Sequence, residues 1–419
     1  MAQHGPGPMS RRSFMKRAGG TAIALPSLAA ILAACSKPGT SSGGSSGSTE
    51  IPIATLDSPV TLPYNADPIA ASTPIESGPL VYYNWADYIY KKEIQAFEDK
   101  FGVEVKLTTY NNMEEGIAKV QSGQVKPDVF FVTKGYLRRL VQNDLLQPLQ
   151  QELIPNIDNM WPIYSNPGPY YDVGWRYTVP YTIYTWGVAY RRDRVDDAQA
   201  AEEGWEALWN SAYQGAISLY NSYGDTIAVA ILRSGSLDVN TQDPQLIDDA
   251  KTAILETIDQ NKAKLTINGV YDRLPAGDFT VAESWSGDIV GAQWYLPKGV
   301  EWDILGYWRP DPGKSMTDND LIAIPTGATN PRLAHEFINF FLDEKVAYDN
   351  FRWWNGYQPP LNSINPEKLI DDGVVPPNLP MAVVTEQMFK QDLTPYELPP
   401  EVDQLWQAAW TEITAGAGA

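Results

Sequence analysis

Residues 80–110 read LVYYNWADYIYKKEIQAFEDKFGVEVKLTTY, and their periodicity decides the fold. Leu80-Val81-Tyr82-Tyr83 is a short β-type run. Ile94, Phe97 and Phe101 then recur at helical spacing, and Gly102 supplies the stop. Val103, Val105 and Leu107 alternate with Glu104, Lys106 and Thr108, the period of a strand. Downstream, Asn112 caps a helix carrying Met113, Ile117 and Val120, with Glu114 and Glu115 where the helix dipole favours acids. Val129-Phe130-Phe131-Val132 is a buried strand, and Leu137, Leu140 and Val141 open another helix. The order β-α-β-α-β predicts a parallel sheet with right-handed crossovers, an α/β fold. Such sheets bind ligands beyond the carboxyl ends of their strands. That nominates two loops, Asn84-Trp85-Ala86-Asp87-Tyr88 and Thr133-Lys134-Gly135-Tyr136.

A second α/β unit follows. Ile217 to Tyr220 reads as a strand and Thr226 to Leu232 as a helix. Asp243-Pro244 caps a helix with Leu246, Ile247, Ala250, Ile254 and Ile258. Thr280 to Trp285, Trp302 to Trp308 and Leu321 to Pro325 read as strands, the last entered through a polar turn, Asp318-Asn319-Asp320. Asn330-Pro331 opens a helix with Leu333, Phe337, Ile338 and Phe341, and a last helix carries Leu405, Trp406, Ala409 and Ile413.

The N-terminal segment is of another kind. Ser10-Arg11-Arg12-Ser13-Phe14-Met15-Lys16 is a basic, twin-arginine pattern followed by a modestly apolar stretch ending in Leu32-Ala33-Ala34-Cys35. Small residues before a cleavage point mark an export signal. Resemblance to bacterial lipoprotein signals implies that Cys35 becomes the lipidated first residue; an uncleaved anchor helix is the alternative. Either way the rest of the chain lies outside the cytoplasm, in the periplasm or at the cell surface. Residues 36–50 are a Gly/Ser-rich tether, and 51–77 a Pro-rich, aperiodic arm, so the folded body is expected from about Pro79.

Composition narrows the function. Cys35 is the only cysteine, so no intramolecular disulfide forms. His4 and His335 are the only histidines, which argues against histidine-rich metal sites and histidine-dependent nucleophilic catalysis. His335 lies in a helical pattern and reads as a satisfied helix residue. Loss of 34 residues removes Arg11, Arg12, Lys16 and Arg17 and no acid, taking the net charge from −20 to −24. An acidic surface disfavours nucleic acid and anionic membranes and weakly favours cations. No P-loop, dinucleotide glycine motif, CxxC or HExxH is present, and no cofactor is expected.

Aromatics and acids share predicted loops and strand ends: Trp85, Tyr88, Trp285 and Tyr357 with Asp87, Asp225, Asp288, Asp318 and Asp320. Aromatic faces attract cations and carboxylates accept short bonds from ammonium groups, which describes a receptor for an organic cation. Acids beside aromatics also suit a glycosidase, with Glu283 and Asp288 near Trp285 as the pair.

Val81-Tyr82-Tyr83-Asn84-Trp85-Ala86-Asp87-Tyr88 resembles the first-strand signature of the periplasmic spermidine/putrescine-binding proteins of ABC transporters. The likeness continues through Pro127 to Thr133, Val179-Pro180-Tyr181 with Trp186-Gly187-Val188, Glu283 to Gly287, Leu321 to Pro325 and Gly356-Tyr357-Gln358-Pro359, and covers residues 79–416. The resemblance implies a two-lobed type II periplasmic-binding fold whose lobes close on a polyamine: a binding protein, monomeric, not an enzyme. Its partner would be a membrane permease, and it would touch the membrane only through its lipid. The implied ligand residues are Trp85, Tyr88, Thr133, Asp225, Trp285, Asp320 and Tyr357. The implied lobes are 79–185 with 321–368 and 186–320 with 369–416, with chain crossings near Thr185, Asp320 and residue 368. Ser222 stands where the family can carry a second acid, Gly135 where it often has an aromatic, and Asp318 where it has a tryptophan. The segment around Lys390 and Gln391 aligns poorly. A polyamine receptor leads; the same fold serving another cationic amine or a sugar is the alternative.

Overall fold

The first strand, β1 (Leu80–Trp85), pairs in parallel with β2 (Val105–Tyr110) and β3 (Val129–Thr133), as the opening motif dictates. In this computed structural model the described residues run from Glu50 to Ala417, except 55–57, 59, 87, 111, 166–171 and 268. The export signal, Cys35 and the tether lie outside the described residues, as does Asp87.

Local signals act as the sequence reading has them. The helix Lys91–Phe101 ends at Gly102 with φ 68°, a left-handed conformation natural to glycine. Asn112 accepts the backbone N–H of Glu115 at 2.8 Å, and Asp243 that of Gln245 at 2.9 Å ahead of the helix Pro244–Asn261. His335, fully buried in the helix Pro331–Phe341, meets the Pro331 carbonyl at 2.6 Å through Nδ1 and accepts the Gln150 N–H at 2.9 Å through Nε2. It is a satisfied packing residue.

One strand organises the rest. β4 (Thr178–Arg191) is buried along all 14 residues. Its first half, from Thr178 to Thr185, pairs antiparallel with β9 (Thr317–Ala323), which pairs on its other side with β3. Its second half, from Trp186 onward, pairs with β7 (Val281–Trp285) and β8 (Leu305–Trp308). β7 continues in parallel to β5 (Ile217–Tyr220), which continues to β6 (Lys264–Thr266). The order is β2-β1-β3-β9-β4 in one half and β6-β5-β7-β4-β8 in the other, the same arrangement twice around a shared strand. The mixed α/β, two-lobed reading holds.

Two expectations change. β9 begins at Thr317, so Asp318, Asn319 and Asp320 are buried strand residues and not a turn. Their polarity imitates a turn, but Asp318 and Asp320 face polar partners inside the sheet. The arm also differs. Ile51 and Leu62 are each 6% exposed, Arg138 Nη1 donates to the Ile51 carbonyl at 2.9 Å, and Arg176 Nη1 to that of Leu62 at 2.9 Å. This segment belongs to the folded body, since isolated apolar residues bury without periodicity.

Candidate functional site

β9 carries Asp318 and Asp320 two residues apart, so both side chains leave the same face of the strand, with Cα atoms about 7 Å apart. Asp320 is 6% exposed and stands opposite Thr182 of β4 and Thr133 of β3. Tyr88, just past β1, donates to its Oδ2 at 2.6 Å; Thr182 donates to the same oxygen at 3.2 Å and Tyr184 to Oδ1 at 3.4 Å. Burial pushes this carboxyl up to about 7; the Tyr88 bond opposes the shift and the charge of Asp318 adds to it.

The second acid comes from the other half. Asp288 lies in the first turn of the helix Ser286–Gly291, directly after β7. It is 1% exposed and accepts from Tyr357 at 2.5 Å and from Tyr220 at 2.6 Å, with the Tyr271 hydroxyl also bonded to it. Burial raises it to about 6 against those three hydroxyls. Tyr357 reaches Asp288 because residue 287 is glycine: a Cβ there would overlap the tyrosine ring.

A third acid, Asp225, opens the helix Tyr223–Arg233 and is partly buried. Its Oδ1 accepts the indole N–H of Trp186 at 2.8 Å and of Trp285 at 3.3 Å, and Ser222 donates to Oδ2. Burial raises it, and the three donors oppose the shift. The hydrogen bonds described for Asp225, Asp288 and Asp320 thus come from neutral groups.

Rings line the space between these acids. Tyr88 and Tyr357 have centroids 4.8 Å apart, Tyr184 and Tyr357 5.6 Å, Tyr184 and Trp285 6.0 Å, and Tyr184 and Trp186 5.1 Å. Trp285 stacks on Tyr220 at 4.1 Å. Three neighbouring carboxylates met by neutral donors and π faces form a site complementary to positive charge.

The structure gathers Tyr88, Asp225, Trp285, Asp320 and Tyr357, and sets Thr133 opposite Asp320. Trp85 goes elsewhere: its ring packs on Tyr110 at 4.9 Å, and among the described contacts it meets none of the cluster's rings. The sequence reading leaves Asp288 outside the ligand set and misses Tyr184, Trp186 and Tyr220; the polar tip of each aromatic, aimed at an acid, is a tertiary signal. Glu283 is 1% exposed and accepts from Tyr220 N at 3.0 Å and Thr226 Oγ1 at 2.7 Å; burial raises it to about 8. Glu283 and Asp288 are thus both held by internal donors. Lys390 pairs with Glu386 at 3.0 Å one helical turn away on the surface.

Beside the site, Arg138 forks onto Glu397 at 2.9 and 2.7 Å, and Arg139 reaches Glu397 at 2.8 Å and Asp403 at 3.3 Å. This joins the helix Lys134–Gln142, which follows β3, to the C-terminal helix Pro400–Ala417, which packs on the helices after β5.

Two α/β halves sharing a strand, with a charged and aromatic site drawn from both, describe a solute receptor. The chain belongs to the bacterial extracellular solute-binding protein family, whose profile matches residues 92–376. It is 25% identical over 272 residues to the putrescine/cadaverine-binding protein of Pseudomonas aeruginosa, spanning 64% of this chain and 75% of that one. It is 23% identical over 352 residues to the putrescine-binding periplasmic protein PotF of Escherichia coli, spanning 81% and 92%. Among solved structures it is similar to the spermidine/putrescine ABC transporter substrate-binding protein PotD of Streptococcus pneumoniae, with TM-score 0.64 and 22% identity, covering 81% of this chain and 99% of that one.

Proposed function

We propose that this protein is the extracytoplasmic receptor of an ABC transporter and that it captures a small organic polycation of the putrescine and spermidine class. The observation that carries the reading is the trio Asp225, Asp288 and Asp320, gathered around the rings of Tyr88, Tyr184, Trp186, Tyr220, Trp285 and Tyr357 and bonded, among the described contacts, to neutral donors. An ammonium group entering a water-excluding site needs a charged acceptor. The names of the relatives point to the same ligand class.

The hinge of the receptor is β4 between Thr185 and Trp186, where its partners change from β9 to β7. A ligand touching Asp320 on one side and Asp225 on the other stabilises the closed arrangement over an open one. The Arg138 and Arg139 contacts to Glu397 and Asp403 assist closure. The closed receptor, a monomer, then delivers its cargo to a membrane permease.

Thermal denaturation with and without amine tests the reading. A ligand that binds only the folded chain at a hundredfold excess over Kd stabilises by about 2.7 kcal/mol, which at roughly 2.1 cal/mol/K per residue raises Tm by about 3 °C. Putrescine or spermidine is expected to produce that rise. A rise with a neutral sugar and none with amines would reassign the ligand.

Cys35 anchors this receptor to the membrane by its lipid, a role read from Leu32-Ala33-Ala34-Cys35. Cys35→Ala is expected to abolish incorporation of labelled fatty acid; retained label on the variant would refute the anchor.

A further inference from the structure

Lys134 breaks two local rules. It is the first residue of the helix Lys134–Gln142, where the dipole favours an acid, and it is 4% exposed. Its ammonium donates to Asp318 Oδ1 at 2.8 Å, with the lysine side chain 1% and the aspartate side chain 11% exposed. Burial lowers the Lys134 pKa and the Asp318 charge opposes that shift.

Asp318 belongs to the site by position. It shares a strand face with Asp320 and stands opposite Tyr184 on β4. Its charge is felt by both Asp320 and Asp225. Asp288 is nearly inaccessible and braced by three tyrosines, so it shapes the wall. Asp320 and Asp225, one on each half and linked through Tyr184 and Trp285, remain as acceptors.

We propose that Lys134 is a built-in counter-ion that fills one ammonium position of the site, so that the ligand is a short diamine and not a longer polyamine. The inference rests on the amine reading above and deepens it. Each ammonium sealed in a closed cleft needs its own carboxylate. With Asp318 already neutralised by Lys134, a diamine places one ammonium at Asp320 and one at Asp225. A third ammonium finds no acceptor and meets a like charge.

The test uses the protein with Lys134→Ala, which removes the side chain and leaves Asp318 to an added cation. Titration calorimetry with putrescine and spermidine is expected to show the ratio of spermidine to putrescine affinity rising at least tenfold over the original protein. n-Propylammonium, the part of the lysine side chain that alanine lacks, is expected to raise the melting temperature of Lys134→Ala and leave that of the original protein unchanged. The rescue should vanish in Lys134→Ala with Asp318→Asn. Should Lys134→Ala fail to fold, Lys134→Met is read by the same affinity ratio. Rescue without any polyamine binding by the original protein would sink the amine reading and leave the counter-ion standing. An unchanged ratio together with no rescue overturns the proposal. So does loss of putrescine binding in Lys134→Met with its melting temperature intact, for Lys134 would then touch the ligand itself.

Discussion

Asp320→Asn is expected to weaken binding of the best diamine by about thirtyfold to several thousandfold, the about 2–5 kcal/mol that follows truncation of one partner in a desolvated charge pair. The substitution keeps the shape and the Tyr88 contact region while removing the charge that an ammonium requires. The effect carries its own pH signature. Burial raises the Asp320 carboxyl to about 7, above the ordinary carboxylate range. An ammonium ligand binds the ionised form, so binding at Asp320 releases a proton when the pH lies below that value. Affinity should rise from pH 5 to 8, by up to about tenfold per pH unit, and then level off while the amines stay protonated. Asp320→Asn should flatten much of that slope. The stability of the empty protein runs the opposite way. Between about pH 4 and 7 the unfolded chain has released the Asp320 proton and the folded chain retains it, so stability falls as pH rises through that window. Calorimetry in buffers of different ionisation enthalpy counts the released protons directly. An affinity flat from pH 5 to 8 would contradict the assignment of Asp320 as the ammonium acceptor.

Asp392→Ala should be the most damaging substitution for stability, at about 3–5 kcal/mol, the range for breaking a buried ion pair. Asp392 Oδ2 accepts from Arg309 Nη2 at 2.6 Å and from Thr317 Oγ1 at 2.5 Å, and its Oδ1 accepts the Gly313 N–H at 2.7 Å. The two paired side chains are 3% and 0% exposed. Arg309 follows β8 and Thr317 starts β9, so the carboxylate gathers the connection that carries the chain back from one half to the other. Removing it leaves a buried guanidinium without its charge partner. Denaturant unfolding should show the loss, and the pair Arg309→Met with Asp392→Leu should recover much of it. A loss under about 1 kcal/mol for Asp392→Ala would mean that the pair is open to water.

How far the sequence reaches depends on whether a signal is local. The parallel units and their helix caps come from period and cap chemistry, so Asn112, Asp243 and Gly102 read directly. β4 resists such reading because Pro180 interrupts its first half; the pairing register shifts between Pro180 and Thr182, a bulge that accommodates the missing N–H. Asp318-Asn319-Asp320 resists it because three consecutive polar residues mimic a turn, and only the partners Lys134, Tyr184 and Thr182 explain the two carboxylates inside a sheet. Asp225, Trp285, Asp320 and Tyr357 were legible as acids and aromatics at strand ends and loops. Asp288 needed the tyrosines that converge on it from β5 and from two distant segments. Trp85 shows the converse: its position at the end of β1 invites a ligand role, while its ring is drawn onto Tyr110 of the neighbouring strand.

The place of β9 governs how this chain can be made. Phe131 of β3 aligns with Ile322, and Val179 of β4 also aligns with Ile322, so a strand from the last quarter of the sequence is wedged between two made much earlier. Until a ribosome has passed Ala323, β3 and β4 each present a bare edge of unpaired N–H and C=O groups, a template for pairing with another chain. A truncated product ending before Thr317 would therefore be two open sheets prone to aggregate, and neither half can be excised as a free-standing module by a single cut.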